Sequence, residues 1–187
     1  AGELGYGTGE GVRAELSWTH RNLVKPEGAV TFATILGTRE QSLSAQLRRN
    51  NYKARDRVLT VQAAAHHSNF AAYDAKTFTL SGTLERQTNI IWQKKWIWSA
   101  GPELSVSDER DVNDATGLPR RRTYYIAAFP GTLAYDGSDD LLNPTRGFRL
   151  SGRLSPEVSF RGRAFTYGRA QIDASGYLPV SGGTVLA

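Results

Sequence analysis

His66, His67, Ser68 and Asn69 put the residue types of nucleophilic hydrolysis into four consecutive positions. A serine becomes a nucleophile only when a base takes its proton and a third group orients that base. Strand neighbours point to opposite faces, so adjacency alone does not join these four, and no partner constellation can be placed elsewhere. They read as loop or wall residues, and the protein is expected not to be an enzyme. Without cysteine there is no disulfide and no thiolate metal site, and no cofactor is implied. A net charge of +5 and a pI near 9.6 permit contact with phosphates or anionic lipid. Arg120-Arg121-Arg122 is the one cationic cluster and reads as a solvated loop, so nucleic acid is not an expected partner.

Nine further ionisable residues fall at alternate positions. Arg13, Glu15, Arg48, Glu85, Glu103, Arg149, Arg153, Arg169 and Asp173 lie on one parity of segments whose other parity is apolar. Val12, Ala14, Leu16 and Trp18 alternate with Arg13, Glu15 and Ser17; Leu43, Ala45 and Leu47 alternate with Ser42, Ser44, Gln46 and Arg48. Period two recurs through about ten segments and no segment reads as a helix. A soluble sandwich would alternate as well. Ionised groups cannot fill a dry core without partners, but they can line a watery lumen, and strands of ten or more residues suit a tilted membrane crossing. The expectation is an all-β, antiparallel, up-and-down transmembrane barrel, here incomplete, occupying residues 1–187 as one domain.

The apolar runs are far short of the ~18 residues of a spanning helix. Both ends fall mid-pattern, so the chain is expected to be a segment of a longer protein. Counting strands alternately up and down places Trp18, Trp96, Tyr135 and Phe148 on the apolar face at one membrane side, as an interface girdle. Turns at 20–28, 50–56, 87–94, 136–146 and 179–183 share that side. Those at 7–11, 37–41, 67–75, 108–122 and 156–163 lie opposite, the long 108–122 loop outside the cell. Pro144-Thr145-Arg146-Gly147-Phe148 opens a strand after a polar turn: proline cannot donate to a ladder and suits a strand's first residue.

Gly5-Tyr6-Gly7-Thr8-Gly9-Glu10-Gly11-Val12-Arg13 followed by Trp18 resembles the opening of the barrel in the TamA and BamA assembly factors of the outer-membrane-protein eighty-five superfamily, or bacterial surface antigen family. Phe129-Pro130-Gly131 followed by the Pro144–Phe148 turn resembles that family's eighth and ninth strands. His20-Arg21-Asn22-Leu23 and Phe129-Pro130-Gly131 look more like TamA than BamA. The resemblance implies a sixteen-strand barrel of which this chain is roughly the first ten strands, without the POTRA domains and the closing strands. It also implies a weak seam at strand one (Gly5, Tyr6, Gly7, Thr8) that templates incoming strands. The implied surroundings are outer-membrane lipid of a Gram-negative bacterium. The implied substrates are unfolded outer-membrane or autotransporter proteins, with an inner-membrane-anchored partner of TamB type. A two-partner secretion transporter or a passive porin-type pore is the alternative.

Overall fold

The computed structural model describes residues 1–7, 11–70, 74–88, 93–112, 117–181 and 183–187. They form one antiparallel sheet of thirteen strand segments with no helix among the described residues. In chain order these are β1 (Gly2–Gly7), β2 (Gly11–Val24), β3 (Gly28–Gly37), β4 (Glu40–Asn50), β5 (Arg57–Asn69), β6 (Asp74–Arg86), β7 (Trp96–Ala100), β8 (Glu103–Val112), β9 (Pro119–Ala128), β10 (Gly131–Asp136), β11 (Gly147–Arg161), β12 (Arg163–Ser181) and β13 (Thr184–Leu186).

Each span pairs with its sequence neighbours, the pattern that hairpin connections produce. β7 and β8 are two halves of one span, both paired with β6; β9 and β10 likewise share β11. The register runs through both interruptions without slipping. Leu84 faces Ala100 and Leu80 faces Leu104; Leu154 faces Gly131 and Glu157 faces Ala128.

Proline causes the interruptions. Backbone N–H and C=O of one residue point to the same neighbour in an antiparallel pair, so a proline there loses the donor and keeps the acceptor. Pro102 accepts from the Gly82 N–H (3.0 Å), Pro130 from Gly101 (3.2 Å) and Pro156 from Phe129 (3.1 Å). Each return bond is missing. Three successive strand pairs are therefore each short of a ladder bond at one level.

Several predicted turns are shorter than the sequence suggests. The 20–28 loop shrinks to Lys25-Pro26-Glu27, because β2 runs on past an irregularity after His20 to Val24, which pairs with Gly28. Trp18 therefore lies within β2, facing Phe32, and does not end the strand. The 156–163 loop is a single-residue turn at Gly162 between β11 and β12. Pro156 reads as a strand breaker, yet its missing donor faces β9–β10 and leaves the fifteen-pair ladder to β12 intact. The 108–122 loop likewise contracts, since β8 reaches Val112 and β9 starts at Pro119.

The two faces differ in crowding as well as chemistry. Leu133, Leu150 and Leu154 are 53%, 46% and 60% exposed, whereas Ser155 and Glu157 on the polar face are 5% and 4% exposed. Curvature explains this, because a bent sheet splays its convex side chains and crowds its concave ones. Val58 is the one buried hydrophobic residue among those described. Among the described residues no second layer covers the apolar face, which argues against the sandwich.

Candidate functional site

The concave face carries Arg13, Glu15, Arg48, Glu85, Glu103, Arg149, Arg153, Arg169 and Asp173, all on the parity opposite the exposed leucines. Most of these residues are held by polar neighbours. Arg13 bonds Glu15 (2.6 Å) and Glu40 (3.1 Å). Arg48 donates to Asn50 (3.3 Å) and Gln87 (3.4 Å), and Gln87 donates to Glu85 (2.6 Å). Arg149 faces Asp136 at 3.1 Å, donates to the carbonyl of Leu141 (2.8 Å) and lies 5.5 Å from the Tyr177 ring centre. Asp173 accepts from Gln171 (3.0 Å). Arg153 lines an open recess with Ser155, Arg169 and Gln171.

Two acids escape a sequence reading. Glu157 accepts from Ser155 (2.9 Å) and from Arg169 Nε (2.6 Å). Its signal, the odd-numbered parity of Arg149 and Arg153, continues past Pro156 and is lost only if the proline is taken as the strand's end. Asp139 is the other. Its carboxylate accepts from the Thr145 N–H (2.8 Å), the Arg146 N–H (3.0 Å) and the Thr145 hydroxyl. Those bonds, led by the hydroxyl, hold its pKa well below the ordinary carboxylate value. Asp140 is lowered in the same way by the N–H groups of Asn143 and Leu142. Together they fold the 137–146 turn back on itself and deliver Pro144–Phe148 to the start of β11. Gly147 there has φ of 106°, and a Cβ on it would stand 2.3 Å from the Gly137 carbonyl oxygen, so only glycine fits.

His66 and Ser68, two residues apart, share the concave face. His66 Nε2 lies 2.6 Å from Ser68 Oγ, and Nδ1 lies 3.8 Å from Glu40. The order resembles a hydrolytic triad, but Ser68 is 6% exposed and sits between Glu40 and Ala75 in two ladders. Peptide N–H groups engaged in ladders cannot form an oxyanion hole. The arrangement extends the Arg13–Glu40 network and is a wall contact.

On the convex face Trp96, Tyr135 and Phe148 form a continuous ring cluster, with centroids 5.0 and 5.4 Å apart. Trp18 stands away from it, stacked on Phe32 at 5.9 Å. At the first edge, β1 is six residues long and three are glycine: Gly2, Gly5 and Gly7. Gly5 pairs with Arg13 and Tyr6 with Val12, and Tyr6 is 77% exposed. Thr8 lies outside the described residues.

A curved antiparallel sheet, apolar on its convex face and ionic on its concave face, is part of the wall of a transmembrane β-barrel. The chain belongs to the Omp85 superfamily, whose domain matches residues 3–187. The structure of BamA from Haemophilus ducreyi lacking POTRA domains 1–3 is similar, with a TM-score of 0.62 at 17% identity. That match covers 96% of this chain and 37% of the other, so the chain spans little more than a third of that protein. No curated protein matches the sequence. Superfamily and fold together place the chain in the outer membrane of a Gram-negative bacterium.

Proposed function

We propose that the chain is the first part of the barrel of an outer-membrane assembly or translocation factor of TamA type. β1 is its weak seam strand, offered as a template to incoming outer-membrane or autotransporter strands. The observation that carries this reading is the composition of β1. Glycine weakens a strand by about 0.5–1 kcal/mol per residue against alanine, so three in six positions cost roughly 1.5–3 kcal/mol. In hydrocarbon an unpaired amide or carbonyl costs several kcal/mol, so a substrate strand that pairs with β1 before meeting lipid avoids that cost. The POTRA domains, the closing strands and an inner-membrane-anchored partner of TamB type belong to the same reading. So does an interface girdle of Trp18, Trp96, Tyr135 and Phe148.

Cysteines at Tyr6 and along the last strand of a substrate, in the full-length protein, test it. A disulfide in one register is expected during assembly. No crosslink in any register, with the protein folded, would sink the template role. The ionic concave wall also suits a two-partner secretion transporter or passive pore, which needs no weak seam. Such a protein would conduct steadily in planar bilayers and export substrate without a β1 crosslink.

A further inference from the structure

The rims of the convex face carry charges of two kinds. At the rim of the β8–β9 hairpin, acids are interleaved with cations, Lys76 opposite Asp108 and Arg110 opposite Asp74. Arg121 Nε donates to Asp108 (2.9 Å), and His67 Nε2 lies 2.8 Å from Asp74. At the opposite rim cation faces cation. Arg57 and Arg86 are directly opposed in the β5–β6 register, both on the parity of Leu59 and Leu84. Like charges directly opposed in a ladder repel. Arg86 is itself opposed to Trp98 across β7, and the Arg57 guanidinium lies 5.9 Å from the Trp98 ring centre. Arg49, on the same face of β4, and Lys53 lie 5.6 and 5.4 Å from the Tyr52 ring centre.

The acids of the adjoining elements are engaged elsewhere. Asp56 pairs with Lys94 (3.3 Å), Glu27 accepts from Asn51 (2.6 Å), and Glu85 faces the concave side with Gln87. Between Arg86 and Trp98 the sequence holds two lysines and no acid. Three cations beside aromatic rings, with Arg86 opposed to Arg57, thus stand where the lipid-facing apolar band ends, and none of the four is ion-paired to a carboxylate among the described residues.

We propose that Arg49, Lys53, Arg57 and Arg86 bind the phosphate of an anionic glycerophospholipid in the leaflet at this rim. Its acyl chains lie along Leu59, Leu84 and Ala100, and its headgroup bridges Arg57 and Arg86. Charge complementarity sets the headgroup, and continuity with the apolar band sets the chains. The opposite rim differs in having carboxylates, Asp74 and Asp108, set directly across from its cations.

Full-length protein in zwitterionic detergent, titrated with phosphatidylglycerol or phosphatidylcholine and read by native mass spectrometry, tests the assignment. Wild type is expected to prefer phosphatidylglycerol. Removing a rim cation costs about fivefold in binding, so Arg57→Gln/Arg86→Gln should lose roughly 25-fold for phosphatidylglycerol and little for phosphatidylcholine. Arg57→Lys/Arg86→Lys should stay within about threefold of wild type. Heat-dependent gel mobility verifies that each variant is folded; should the glutamine pair misfold, Arg49→Gln alone is expected to lose about fivefold. Equal binding of both lipids by wild type, or an undiminished preference in the glutamine variants, overturns the site. Tighter binding of lipid A than of phosphatidylglycerol overturns the choice of phospholipid.

Discussion

The β2–β6 half of the sheet and the β7–β12 half are built differently. From β3 to β6 the ladders run without a gap, eleven pairs between β4 and β5 and thirteen between β5 and β6. From β7 to β11 each strand pair meets a proline at the same level, and two spans break into halves of five to ten residues. The register nevertheless persists. A ladder can lose one bond in each of three neighbouring pairs, about 1 kcal/mol apiece, if something else holds the strands in step. Here a turn and a glycine contact act beside the backbone, the Asp139-tied turn and the Gly82–Gly101 approach, and the intact β11–β12 ladder with its Glu157–Arg169 pair backs the last broken one.

That contrast can be broken at specific positions, in the full-length protein. The largest effect is expected from Gly101→Ala, because a Cβ there would stand 1.7 Å from the Gly82 carbonyl oxygen. A loss of about 3 kcal/mol is expected in urea-unfolding midpoints measured in vesicles. Gly147→Ala should follow at about 2 kcal/mol, since its φ of 106° is strained for any side chain. Glu157→Ala should cost about 1–2 kcal/mol by the same measurement. Glu157 is enclosed while the Arg169 side chain is 73% exposed, so water takes over part of the lost bonding.

Asp139→Ala should be smaller again and pH-dependent. A carboxylate with a depressed folded pKa stabilises fully above its unfolded value near 4 and loses that contribution as pH falls through the folded one. Melting temperatures of wild type and Asp139→Ala are therefore expected to differ at pH 7 and to converge as the pH drops below about 4. A gap that stays constant down to pH 2 would remove the ionised Asp139 from the turn. In the other half, Thr79→Ala should lie within about 0.5 kcal/mol of wild type. If it matched Gly101→Ala, the two halves would not differ as described.

The period-two pattern exposed the faces because each strand is amphipathic on its own, with no need of a partner. Arg13, Arg48 and Arg149 are therefore assignable to the polar face from the sequence alone. Glu157 is not, because Pro156 is the residue that usually stops a strand, and only its neighbours show that its missing donor faces the broken ladder. Trp18 reads as a strand end for a related reason: the apolar parity passes to His20 and Asn22, and only the pairing of Val24 with Gly28 shows that the strand runs on. The His66–Ser68 contact was legible from a spacing of two, but the third group, Glu40, comes from another strand, and distance in sequence hid it.

The sequence by itself determined the two-faced strand and its turn chemistry, because alternation, glycine and proline act within a few residues. Only the tertiary structure decided which charges meet. Pairing depends on register across strands, and register is a sum over a whole ladder. That sum sets Arg169 on Glu157 and leaves Arg57 facing Arg86.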